Sequence, residues 1–262
     1  MLKFNIKKKD SNYIKLWRIL PNMVTLCSLG IGITSILYSM QNIWQTAIIM
    51  ILISGILDGI DGRLARILSA DSAFGAELDS LCDFVNFGIA PSLLTYLWIL
   101  NYYSIEHSIF VWSVILLFCM CMAIRLARFN TTNNQLDYYK KFSIGVPAPC
   151  GAMLFLFPII LSFTINTYEQ FNFSLNLYIC YILFVSFLSV SRIPTISLKN
   201  ISIKHEYIKP IFLLLFMLTI CIILFLWHVM ISLIILYFLS IPITAYYGLK
   251  MQNKIQNFNI NN

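Results

Sequence analysis

Charge is scarce in this sequence: Asp, Glu, Lys and Arg make up only 11% of its 262 residues. A soluble domain carries roughly a quarter, so a soluble globular fold is excluded. Histidine is scarcer still, with only His107, His205 and His228. None has an acidic cluster near it in sequence, and a catalytic imidazole needs such partners, so all three read as structural. The seven cysteines are odd in number, scattered and free of any Cys-x-x-Cys pair, which excludes a disulfide framework. Cys119 and Cys121 point to different faces of one helix and read as packing residues. No small-residue cleavage site follows the basic N-terminus, so it is not read as a cleaved signal. Internal repeats and β-barrel alternation are also missing.

Hydrocarbon takes the place of charge. The chain is 59% hydrophobic, with a mean hydropathy of +0.80. These values mark an integral membrane protein, all-α, with one membrane domain and no soluble one. The net charge of +7 reads as basic cytoplasmic loops beside anionic lipid, with no nucleic-acid role. The 14 Tyr and five Trp read as interfacial belts.

Residues 1–20 form a basic tail and an interfacial helix. Pro21 opens the first apolar span, about 22–40, and a second follows at 43–68. The third, 75–100, carries Pro91, which should kink it. Spans at 108–126, 149–165 and 175–190 complete a six-helix core over 21–191. The remainder, 192–262, is a hairpin of spans 211–226 and 229–249, turning at Trp227-His228, with a short tail.

Cations support this count of eight. Six Lys and Arg precede the first span and two end the second; four lie at 125–141, four between the sixth and seventh spans, and two after the eighth. All 18 then fall on one side of the membrane. The opposite connections, near Gln41, 101–107, 168–173 and Trp227, have none. The positive-inside rule places both termini in the cytoplasm, at the cell's inner membrane.

Against this background the stretch from Asp58 to Asp83 stands out. It reads Asp58-Gly59-Ile60-Asp61-Gly62-Arg63-Leu64-Ala65-Arg66, then eight residues, then Gly75, Asp79 and Asp83. Asp58, Asp61, Gly62, Ala65 and Arg66 share one helical face; Asp79 and Asp83, four apart, share a face of the next helix. Two helices joined by a turn can aim four carboxylates at one point. Acids near hydrocarbon need a cation or a function. Two divalent cations would cancel the charge, and all-oxygen ligands suit Mg²⁺, Mn²⁺ or Ca²⁺ rather than zinc. Paired metals serve in-line displacement at phosphorus. Gly62 and Gly75 leave room for a bulky ligand, Arg66 offers a planar fork to phosphate, and Ser72 supplies a hydroxyl.

The pattern Asp-x-x-Asp-Gly-x-x-Ala-Arg, eight residues, Gly-x-x-x-Asp-x-x-x-Asp resembles the signature of the CDP-alcohol phosphatidyltransferase family, with every fixed position matched. The resemblance implies transfer of a phosphatidyl group from CDP-diacylglycerol to an alcohol, releasing CMP, with two Mg²⁺ or Mn²⁺ ions. It implies that Asp58 and Asp79 bridge both ions, that Asp61 binds the first and that Asp83 binds the second. Asp83 would also be the general base. Gly62, Arg66, Ser72, Gly75 and Thr25 would hold CDP-diacylglycerol, and the working unit would be a homodimer in membrane lipid.

Three further segments are similar to family members that use L-serine as the alcohol. They are Leu20-Pro21-Asn22 with Thr25, the run Arg125-Leu126-Ala127-Arg128-Phe129-Asn130, and the small-residue stretch 142–152. Arg125, Arg128 and Asn130 then read either as membrane-surface anchors or as a site for a serine carboxylate or lipid phosphate. Glycerol phosphate and inositol are the alternative acceptors. The absence of a His-x-Lys pattern disfavours an unrelated synthase chemistry that proceeds through a covalent intermediate. A cation transporter is the reading from another class, but transport sites tend towards the membrane midplane, whereas these acids lie at a cytoplasmic end.

Overall fold

The structure is a computed structural model that describes residues 17, 19–70, 72–103, 108–132, 142–164, 174–191, 194–196 and 208–260. Most of the interfacial helix expected before Leu20 lies outside these residues, as do His107 and His205. The described residues form seven helices and one short pairing of strands, in two units, Met1–Ser108 and Ile109–Asn262.

In the first unit, α1 (Leu20–Met40) starts with Pro21 in its first turn. The missing N–H of proline costs nothing there. Its 21 residues rise about 31 Å, a bilayer's hydrocarbon thickness. The turn to α2 (Trp44–Ile67) is only Gln41-Asn42-Ile43, with Asn42 at φ 61°, a left-handed conformation that asparagine tolerates. So short a connection lays α2 antiparallel against α1, and the two pack along their length.

α3 (Ala73–Tyr103) is a 31-residue helical run. Ser72 caps it, its side chain accepting the Gly75 N–H at 3.0 Å. The kink expected at Pro91 takes the form of a π-helical turn at Val85–Ile89, where the Ala90 N–H reaches back five residues to the Val85 carbonyl. Pro91 cannot donate to the Phe87 carbonyl and its ring crowds that turn. Widening the turn ahead of the proline accommodates both effects.

The second unit contains α4 (Ser108–Thr132), β1 (Phe142–Ile144), α5 (Ala148–Ser162), α6 (Leu175–Val190), β2 (Pro194–Ile196) and α7 (Ile208–Ile260). α4 runs six residues beyond the expected 126, so Arg125, Arg128 and Asn130 all lie on helix. Phe118 of α4 stacks on Phe155 of α5, ring centres 3.8 Å apart. Pro158 inside α5 deprives the Leu154 carbonyl of its helical donor. The Tyr181 hydroxyl of α6 fills the gap at 2.6 Å. β1 and β2 pair antiparallel, Ser143 opposite Thr195. Gly145 follows at φ 76°, and a Cβ there would stand 2.8 Å from the Ser191 carbonyl oxygen.

The last two expected spans are two helices that meet at a kink at Phe225 (φ −135°, ψ 47°), described together as α7. Trp227 and His228, the expected turn, stay helical. The break falls two residues before the expected turn, inside the apolar run 220–227 that directly precedes His228.

Among the described residues four helical stretches are long and apolar enough to cross a membrane: Leu20–Met40, Ala73–Tyr103, Ile109–Thr131 and Phe216–Tyr246. Ala148–Ser162 and Leu175–Val190 are shorter apolar helices. The protein is an integral membrane protein built of helices. All seven cysteines are free thiols.

Candidate metal centre

The four acids come from two helices of the first unit. Asp58 and Asp61 occupy successive turns near the C-terminal end of α2; Asp79 and Asp83 occupy successive turns near the start of α3. One carboxylate oxygen each from Asp58, Asp61 and Asp79 lies within 4.8 Å of the others. Asp83 closes the group by meeting Asp58 side chain to side chain. Asp61 is buried, at 3% exposure, and the other three are half-buried.

Carboxylates held this close repel one another unless protons or cations lie between them. The cluster fits cations. Oxygens about 2.1–2.6 Å from a hard cation are separated by at most about 5 Å, and those of Asp58, Asp61 and Asp79 lie within 4.8 Å of one another. Asp61 adds a sharper sign: its Oδ1 is buried and has no hydrogen-bond partner among the described residues. A buried, unsatisfied carboxylate oxygen costs free energy that a bound cation recovers.

Thr25 of α1 holds the other oxygen of Asp61. Its buried hydroxyl lies 2.6 Å from Asp61 Oδ2 and 3.0 Å from the Pro21 carbonyl. With one proton to give, the short charge-assisted bond to the carboxylate is the stronger. Thr25, expected among the CDP-diacylglycerol contacts, here binds the Asp61 carboxylate.

The other expected contacts surround the cluster. Arg66 is exposed and its Nε donates to the Gly62 carbonyl at 3.0 Å. A Cβ at Gly62 would meet nothing within 4 Å, so its surroundings are open. Gly75 is different: a Cβ there would stand 3.1 Å from both Asn22 Oδ1 and Ser72 Oγ. Its bareness lets α1 and the α3 cap approach. Ser72 Oγ accepts the cap bond, and its proton stays available for donation.

Arg125, Arg128 and Asn130 belong to the second unit. The Arg125 Nε donates to the Val146 carbonyl, and Arg128 Nη1 donates to the Val190 carbonyl at 2.7 Å. Both guanidinium groups thus tie α4 to backbone at the ends of neighbouring segments; Asn130 is exposed.

One functional layer went unread in the sequence. Thr25, Ser28, Gly32, Ser35 and Ser39 repeat every three or four residues along α1 and are all buried. Small residues at this spacing let helices approach closely in lipid. The spacing is visible in the sequence; the partners that make it matter come from elsewhere in the chain.

Comparison with known proteins agrees with this geometry. Residues 18–182 match the family described as CDP-alcohol phosphatidyltransferase. The chain is 36% identical over 196 residues to the CDP-diacylglycerol–serine O-phosphatidyltransferase of Mycobacterium leprae (strain TN), a match covering 72% of this chain and 62% of that protein. It is 35% identical over 193 residues to the protein of that name from Mycobacterium tuberculosis (strain CDC 1551 / Oshkosh), covering 72% and 65%. The protein of that name from Helicobacter pylori (strain J99 / ATCC 700824) is 36% identical over 185 residues, covering 70% and 74%. The matched region thus spans less than two thirds of the length of the mycobacterial relatives.

Proposed function

The chain belongs to the CDP-alcohol phosphatidyltransferase family, and from that premise we propose that it transfers the phosphatidyl group of CDP-diacylglycerol to L-serine, yielding phosphatidylserine and CMP. The observation that carries this reading is the convergence of Asp58, Asp61, Asp79 and Asp83, with a buried Asp61 oxygen left over for a cation. The serine acceptor is supported by relatives from three bacteria that bear that activity in their names.

In this reading the four aspartates hold two divalent cations, Mg²⁺ or Mn²⁺. When bound, these supply charge neutralisation at the diphosphate and at the departing CMP phosphate. Asp58 and Asp79 would serve both ions, Asp61 the first and Asp83 the second. Asp83 also takes the serine hydroxyl proton as the serine oxygen bonds to phosphorus and the bond to CMP breaks. Attack is in-line, with no phosphatidyl-enzyme intermediate. Arg66 and Ser72 donate to the CDP portion, while Gly62 and Gly75 keep the approach to it clear. Arg125, Arg128 and Asn130 contribute a site for the serine carboxylate or a lipid phosphate.

The site opens sideways to the inner leaflet, because pulling two acyl chains into water costs about 0.8 kcal/mol per CH₂. Both termini and the aspartates lie on the cytoplasmic side, the chain crosses eight times, and the working unit is a homodimer.

The test is an acceptor panel: membranes carrying the protein, CDP-diacylglycerol, Mn²⁺, and labelled serine, glycerol 3-phosphate or inositol. Serine alone should give labelled lipid with equimolar CMP, and chelation should stop it. Labelled lipid from another alcohol would keep the family chemistry and overturn the serine acceptor. CMP release that survives exhaustive chelation would overturn the metal centre.

A further inference from the structure

Asn86 lies in the π-helical turn three residues past Asp83, and it is fully buried at 1% exposure. Its Nδ2 donates to Ser28 Oγ of α1 at 2.9 Å. The Ser28 hydroxyl in turn donates to the Ser54 carbonyl of α2 at 2.9 Å. One chain of two hydrogen bonds therefore joins all three helices of the first unit. On α1, Ser28 is one turn beyond Thr25, which holds Asp61; on α2, Ser54 is one turn before Asp58.

The fit around Asn86 is close. A Cβ at Gly32 would overlap Asn86 Oδ1, so the glycine is there to admit the amide. That Oδ1 has no conventional hydrogen-bond partner among the described residues; it faces the Gly32 Cα, the weak contact common where helices meet closely. The π turn explains how the amide gets there. One extra residue in a turn rotates everything beyond it by about 100°. Without it, the face of α3 that carries Asp79 and Asp83 would be out of phase with the buried face beyond the turn, which includes Pro91, Thr95 and Trp98. The wide turn lets both faces look at α1 and α2.

We propose that the Asn86–Ser28–Ser54 relay, seated by Gly32 and the π turn, is a positioning device that sets the separation of the Asp79/Asp83 pair from the Asp58/Asp61 pair, and so the affinity for paired divalent cations. The inference rests on the metal-centre reading above. None of the three residues is a ligand. They act through the aspartates, as partners behind metal ligands do, where losses of about 10- to 100-fold in affinity are usual.

The experiment is a Mn²⁺ titration followed by electron paramagnetic resonance, on the full chain in lipid nanodiscs without substrates. It is run well below each variant's melting midpoint. Asn86→Ala and Ser28→Ala should each weaken Mn²⁺ binding about tenfold or more. The double variant should be no worse than the weaker single one, because both cut the same relay. Ser28→Thr keeps the hydroxyl and should restore binding. A role in packing alone would lower the melting midpoint and leave Mn²⁺ affinity intact. Folded Asn86→Ala or Ser28→Ala protein with wild-type Mn²⁺ affinity overturns the proposal; if the Asn86 variant does not fold, the Ser28 variant decides it. A wild-type chain that binds no Mn²⁺ overturns the metal centre itself and this inference with it.

Discussion

Replacing Thr25 by valine separates an orienting role from a substrate contact. Valine matches threonine in shape, so the packing of α1 against α2 is kept and only the hydroxyl is lost. The bond removed is the 2.6 Å contact to Asp61 Oδ2. A hydrogen bond to a charged group is worth about 1.5–3 kcal/mol. Losing a partner behind a metal ligand costs about 10- to 100-fold in affinity, which is about 1.4–2.8 kcal/mol at 1.4 kcal/mol per decade. The two routes agree. Two effects compete in the variant: the carboxylate becomes more basic, which favours the cation, but it is free to turn. Turning dominates, because Asp61 Oδ1 gains from a cation only while the carboxylate is held towards Asp58 and Asp79. The assay is CMP release against free Mn²⁺ at saturating substrates. The activation constant should rise about 10- to 100-fold, with kcat recovering at high Mn²⁺. A raised KM for CDP-diacylglycerol with an unchanged Mn²⁺ constant would refute the reasoning and place Thr25 on the substrate.

Three further outcomes follow from other residues. Asp83→Asn should lower turnover by about 10²- to 10⁴-fold, the range for a lost general base, while CDP-diacylglycerol still binds in a filter assay. Gly145→Ala meets both a φ of 76° and the Ser191 carbonyl; a left-handed non-glycine residue costs about 1–3 kcal/mol, which should appear as a lower melting midpoint in detergent. Arg128→Ala removes the bond to the Val190 carbonyl and should raise KM for serine more than KM for the lipid nucleotide; a selective effect on the lipid would assign Arg128 to phosphate.

The acids were legible because helical spacing alone decides whether Asp58 and Asp61, or Asp79 and Asp83, share a face. Spans were legible for a similar reason: an apolar run bounded by polar residues has few ways to end, and α6 begins and ends as expected at 175 and 190. Features that depend on distant partners were not legible. Nothing local to Asn86 marks Ser28, 58 residues earlier, as its acceptor. The π turn at Val85–Ile89 expresses Pro91 and that tertiary bond together, and periodicity registers only the proline. Arg125 and Arg128 could be placed at a helix end, but their carbonyl partners arrive from Val146 and Val190. Phe225 breaks α7 amid unbroken apolar sequence, where hydropathy has no contrast to report.

All four aspartates, together with Thr25, Ser28, Ser54 and Asn86, lie between residues 25 and 86. Every one of them precedes Ile109, the first residue of the second unit. During synthesis, therefore, all four acids have been translated before any residue of that unit. The arginines of α4 are added later to a chain that already contains its acids, so a truncation series can ask when cation capture begins, separately from when catalysis does.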